Sequence, residues 1–163
     1  KATLDKEGQW SDVAELPFNS SEYSVAHPTL SVDEKTLYFA SDMPGTLGQS
    51  DLFRVIINAD GTYGVPENLG PEVNTEGRET FPFISKDNEL YFASDGRPGL
   101  GGLDIFVARI GIDNSFYSLQ NVGEPINSKQ DDFAFLINSK NRNGFFTSNR
   151  EGGQGYDDIY RFR

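Results

Sequence analysis

Apolar and polar residues alternate along most of the chain in short runs, and turn-forming residues interrupt the runs. "HPTLS" (27–31), "FPFIS" (81–85) and "FAFLIN" (133–138) each predict a first strand. "TLYFAS" (36–41), "ELYFAS" (89–94) and "GFFTS" (144–148) predict a second, rich in aromatic residues. "DLFRVII" (51–57), "DIFVARI" (104–110) and "DIYRF" (158–162) predict a third. "QWSDVAEL" (9–16), "TYGVPENL" (62–69) and "FYSLQNV" (116–122) predict a fourth, with an aromatic at its start. "ADG", "DGRPG" and "EGGQG" are turn signals between them. Period-two patterning, aromatic and β-branched residues and almost no helical periodicity make the chain all-β.

The pattern repeats. "LYFASD" occurs at 37–42 and again at 90–95, and Tyr38 to Tyr91, Asp51 to Asp104 and Trp10 to Tyr63 to Phe116 are all steps of 53. A third copy is degenerate: Asn149 lies 54 after Asp95, and Asp158 54 after Asp104. Four antiparallel strands in a repeat of this length predict β-propeller blades. A blade packs between two neighbours, so its second strand must be apolar on both faces. Leu37 and Phe39 then point one way, Tyr38 and Ala40 the other.

The expected division is the end of a preceding blade (1–23), a blade at 24–76, a blade at 77–129, and a blade at 130–163 lacking its fourth strand. Three repeats are too few for a normal ring of about 4–8 blades. The expectation is half of a larger ring, completed by more chain or by a second copy, and self-association of the isolated chain.

Charge narrows the partners. With 14 Lys plus Arg against 25 Asp plus Glu, the net charge of −11 repels phosphate backbones and acidic membrane surfaces alike. Neither nucleic acid binding nor direct membrane insertion is expected. The chain has no cysteine, which excludes thiol catalysis, disulfides and thiolate zinc sites.

Three acidic pairs stand out: Asp42 with Asp51, Asp95 with Asp104, and Asn149 with Asp158, each nine apart across the turn between second and third strands. The spacing predicts both side chains at the mouth of one hairpin. They read as caps on the N–H groups of the Gly-rich turn, with weak cation ligation, calcium foremost, as the alternative. A second set, His27, Arg78, Glu79, Asp131 and Asp132, begins the first strands and reads as a rim where a partner could bind. Trp10, Tyr23, Tyr63 and Tyr117 offer stacking faces for a glycan if exposed. No catalytic residue is expected: there is one His, no Cys and no G-x-S-x-G, and the carboxylate pairs recur where a catalytic site would be singular. A propeller hydrolase or lyase is the least favoured class.

"YFASDMPGTLGQSDLF", "YFASDGRPGLGGLDIF" and "FFTSNREGGQGYDDIY" resemble TolB-type, WD-like propeller repeats. Together with "ELPFNSSEYSVAHPTLS" and "NLGPEVNTEGRETFPFIS", they are similar to the propeller of OmpA-family outer-membrane proteins of Bacteroidetes-type bacteria. That group includes the peptidoglycan-associated component of the type IX secretion machinery. The resemblance implies a periplasmic scaffold beneath the outer membrane, acting as a protein-interaction platform and linked to secretion or envelope integrity. It implies no cofactor. Peptidoglycan binding is not carried over, because the family's peptidoglycan-binding domain is not among these residues.

Overall fold

A computed structural model describes all of residues 1–163. The protein is all-β, with four antiparallel sheets in chain order. A two-stranded ribbon joins β1 (Thr3–Leu4) to β2 (Trp10–Ser11). The second sheet is a meander of β3 (Val25–Leu30), β4 (Thr36–Ser41), β5 (Asp51–Ile56) and β6 (Glu67–Asn68). The third repeats that order with β7 (Glu79–Ile84), β8 (Glu89–Ser94), β9 (Asp104–Ile110) and β10 (Phe116–Asn121). The last has three strands, β11 (Asp132–Asn138), β12 (Asn143–Ser148) and β13 (Asp158–Phe162).

The meander sheets pack face to face through their central strands, and alternation decides which residue meets which neighbour. On β4, Tyr38 and Ala40 join Leu52, Ile84, Leu90, Phe92 and Phe106 in a core between the second and third sheets. Leu37 and Phe39 point the other way, into a cluster with Phe18, Met43, Phe53 and Val55. On the far side of the third sheet, Tyr91 and Ile105 pack against Phe135, Ile137 and Phe146. Each such side chain contributes about 1.5–3 kcal/mol when fully buried, so the stacking of sheet on sheet dominates the stability.

Of the expected fourth strands, the one at 116–122 forms as β10, and the two before it are weaker than the sequence predicts. In the first meander, Tyr63 makes only an isolated bridge to Ile57 before the two-residue β6. The intervening Pro66 has no N–H to give a ladder. Near the chain start Trp10 and Ser11 pair with the two-residue β1, and Ala14 exchanges backbone hydrogen bonds with Lys1.

Every first strand is bulged at the same place. The register slips between Ala26 and Thr29, between Thr80 and Phe83, and between Phe133 and Leu136. His27, Phe81 and Ala134 take the strained position, with φ of 55°, 50° and 51°. A bulky residue rarely holds positive φ, and a bulge re-aims the side chain it carries.

Candidate functional site

The bulges turn one edge of each first strand toward its neighbours. The His27 ring stacks on Phe81 with centroids 3.8 Å apart, and Phe81 in turn lies 4.9 Å from Phe133. His27 Nδ1 and Thr80 Oγ1 share a hydrogen bond of 2.8 Å. Burial holds the imidazole below its ordinary pKa. The lone His is therefore a half-buried ring of the second sheet packed against the third.

Of the expected rim, Arg78 and Asp131 do lie near the surface, and they do similar work. Asp95 accepts from the Arg78 backbone N–H at 2.6 Å and from its Nε at 2.7 Å. Asn149 accepts from the Asp131 N–H at 2.8 Å and donates to the Asp131 carboxylate at 3.3 Å. Asp42 accepts from the Ser24 N–H at 2.6 Å. The first member of each acidic pair thus ties the end of a second strand to the residue leading into the first strand.

Glu79 and Asp132 depart from the rim expectation: both are 0 % exposed. Glu79 accepts from the Thr75 N–H, the Thr75 hydroxyl and the Ser94 hydroxyl, at 2.6–2.7 Å. Asp132 accepts from the Ser128 N–H and hydroxyl and forms a 2.6 Å ion pair with Arg150. No partner molecule can reach either carboxylate. They brace the loop that enters the first strand.

The second members of the pairs serve the Gly-rich turns. Asp51 accepts from the N–H groups of Leu47 and Gly48, Asp104 from those of Leu100 and Gly101, and Asp158 from those of Gln154 and Gly155. The two acids of a pair therefore look to different segments and do not meet at one hairpin mouth. Asp104 differs from Asp51 in one respect. Asp51 also accepts from Asn68 Nδ2 at 2.6 Å, whereas Asp104 Oδ1 is buried with no partner. Burial raises the Asp104 pKa, its two turn N–H groups oppose the rise, and the charges of Asp132 and Asp131 add to it. No group of three or more His, Asp and Glu side chains is placed to hold a metal ion.

The stacking aromatics divide. Trp10 and Tyr117 are exposed. Tyr23 donates its hydroxyl to the Phe18 carbonyl at 2.9 Å, and Tyr63 packs edge-on against Phe18.

One constellation went unread in the sequence. Asn74 Oδ1 accepts from the Leu52 N–H at 2.8 Å, and its Nδ2 donates to the Leu52 carbonyl at 3.0 Å and to Asn68 Oδ1 at 2.8 Å. Asn127 does the same to Ile105 and Asn121, at 2.8, 2.9 and 2.7 Å. Both asparagines are buried. The signal lay in two segments 53 apart, "NLGPEVNTEGRE" (68–79) and "NVGEPINSKQDD" (121–132), which share N-x-G-x-x-x-N-[TS]-x-x-x-[ED].

No family model matches the chain, and no curated protein matches it. The site must be read from its geometry.

Proposed function

We propose that the chain is a non-catalytic β-propeller scaffold, three blades of a larger ring, that binds protein partners in the bacterial cell envelope. One observation carries the non-catalytic part: the acidic side chains that recur along the chain are spent on its own backbone. Glu79 and Asp132 hold the loops before the first strands, and Asp51, Asp104 and Asp158 hold the turns. Bulged first strands with matching φ at His27, Phe81 and Ala134 support the blade reading, because radially arranged sheets bring such edges together. The resemblance of the Ser-Asp, Gly-turn, Asp-Ile/Leu-aromatic pattern to OmpA-family propellers supports the periplasmic face of the outer membrane as its place.

The test is site-specific photo-crosslinking in cells of a Bacteroidetes-type bacterium, with the crosslinker at Arg78 or Asp131 and Ile112 as an exposed control. Discrete adducts with envelope proteins from the first two positions, and none from the third, are expected. Adducts with cytoplasmic proteins, or no difference from the control, would overturn the reading.

A calcium-binding module is a second reading, favoured by the unpartnered Asp104 Oδ1 alone. A calcium-dependent rise in Tm that Asp104→Asn abolishes would replace the scaffold reading with it.

A further inference from the structure

The molecule contains one kind of joint twice and carries the two halves of a third at its ends. In the joint between the second and third sheets, Asn74 clamps both backbone groups of Leu52. The Glu79 N–H donates to the Ser50 carbonyl at 2.8 Å, and Gly48 lies so close to the Thr75 and Gly77 carbonyls that no Cβ would fit. In the joint between the third and fourth sheets, Asn127 clamps Ile105. There the Asp132 N–H donates to the Leu103 carbonyl at 2.7 Å, and Gly101 sits against the Gln130 carbonyl.

The residues in the corresponding places at the two ends are unengaged. Ile159 pairs with Thr147 as Leu52 pairs with Ala40 and Ile105 with Ala93, yet it is 77 % exposed where the other two are 0 %. Gly155 has no residue of another segment within reach of a Cβ. At the other end, Asn19 lies 55 residues before Asn74, in a loop two residues shorter, and begins "NSSEYSV" as Asn74 begins "NTEGRE" and Asn127 "NSKQDD". Its side chain is exposed and makes no hydrogen bond. Leu30, opposite Leu37 as Ile84 is opposite Leu90, is 44 % exposed against 7 % for Ile84. A cavity of about 300 Å³ lined by Val13, Leu16, Phe18, Leu37 and Phe39 opens beside it.

We propose that these ends are complementary, and that a second copy of this chain docks head to tail, Asn19 of one copy clamping the Ile159 backbone of the other. The proposal rests on the reading of the sheets as successive units of one repeat. It commits to a second copy because the missing counterpart at each end is what the opposite end of the same chain presents. The contact is heterologous, so it repeats into a closed ring or an open string according to the rotation between copies. Lys1 pairs with Ala14 where Arg161 of the incoming copy would arrive, so one chain end peels away as the joint forms.

The experiment is the mass of the purified 163-residue chain by sedimentation equilibrium from about 5 to 500 µM, for wild type, Asn19→Ala and Ile159→Asp. Both side chains are exposed, so circular dichroism and Tm should match wild type. The wild-type mass should rise above 18.1 kDa, and each variant alone should associate at least about tenfold more weakly. A mixture of the two variants should recover association, because the intact tail of Asn19→Ala meets the intact head of Ile159→Asp. A wild type that stays at 18.1 kDa, variants that associate as well as wild type, or a mixture no better than its components would overturn the proposal. The purified chain contains no envelope partner, so a monomer would sink this joint and leave the scaffold reading standing. Loss of the crosslinks would do the reverse.

Discussion

Asn74 holds the Leu52 peptide groups by both ends, accepting from the N–H at 2.8 Å and donating to the carbonyl at 3.0 Å. A side-chain amide here completes the work of an adjoining strand: just past β6 the Leu69 N–H also donates to the Leu52 carbonyl at 3.0 Å, and Asn74 supplies the acceptor for the Leu52 N–H. Asn74→Ala leaves a buried N–H without an acceptor, and each such group costs about 1–3 kcal/mol. The substitution should lower stability by about 3 kcal/mol, and Asn127→Ala by a similar amount, both measured by urea unfolding. Asn19→Ala, at the exposed asparagine of the matching loop, should change monomer stability by less than about 0.5 kcal/mol. Equal costs at all three positions would refute the clamp.

Asp51 and Asp104 are equivalent in sequence and unequal in surroundings. Asp51 receives an amide N–H from Asn68; Asp104 keeps one buried oxygen unpartnered near Asp131 and Asp132. Asp51→Asn can keep one oxygen for Leu47 and Asn68 but turns its NH2 toward the Gly48 N–H and should cost about 2 kcal/mol, whereas Asp104→Asn removes an uncompensated buried charge and should cost less than about 1 kcal/mol. The pH dependence has a definite sign. The folded-state pKa of Asp104 lies above its unfolded value, so the folded protein binds that proton more tightly. The associated stability is full below the unfolded pKa and disappears as pH rises through the folded one. Wild type should therefore gain on Asp104→Asn as pH falls from 7 toward about 4. A gap that widens in the opposite direction would show the carboxylate to be stabilised by its turn.

How far these features could be read in advance depended on whether the signal was periodic and local. The faces of β4 were legible because alternation fixes them: Leu37 and Phe39 could only oppose Tyr38 and Ala40. The turn role of Asp51, Asp104 and Asp158 was legible for a similar reason, since each caps N–H groups three and four residues away. Burial of Glu79 and Asp132 was not. Charged residues are rarely buried, and although Thr75 and Ser128 donate from four residues away, the donors that complete each carboxylate, Ser94 and Arg150, lie 15 and 18 residues away. The Asn74 clamp escaped because polar residues in a loop carry no periodic mark; only the 53-residue comparison exposes it. The bulges escaped too, since nothing in His27-Pro28, Phe81-Pro82 or Ala134-Phe135 announces positive φ in a residue other than glycine.

His27 should act as a weak acid-side lever on stability. Its folded pKa lies below the unfolded value near 6.5 because the ring is half-buried against Phe81. Above that pH both states are neutral and the full packing contribution is present. As pH falls toward the folded pKa, the unfolded chain takes up a proton that the folded protein refuses, and stability drops. Wild type should lose more Tm than His27→Phe between pH 7.5 and 5.5, about one unit either side of an unperturbed His. NMR titration of the His27 ring gives the direct check. A midpoint at or above 6.5 would contradict the clamped geometry.

Arg150 couples the last sheet to the loop before it through three kinds of contact. It pairs with buried Asp132 at 2.6 Å and donates to the Pro125 and Ile126 carbonyls at 3.0 and 2.6 Å. Its guanidinium also lies 4.8 Å from the Phe146 ring centre and 5.1 Å from that of Tyr160. Arg150→Ala strands a fully buried carboxylate, a loss of about 3–5 kcal/mol when no other cation replaces the partner. Arg150→Lys keeps the charge but cannot satisfy two carbonyls and a carboxylate from one planar group, so it should recover less than half of the loss. Glu79, in the corresponding place one sheet earlier, relies on hydroxyl and N–H donors alone. The double variant Arg150→Ala with Asp132→Ser should therefore restore much of the stability, since it removes the stranded charge while keeping a small polar side chain beside Ser128. A double variant no more stable than Arg150→Ala in urea unfolding would mean that the carbonyl and ring contacts, not the ion pair, hold the joint.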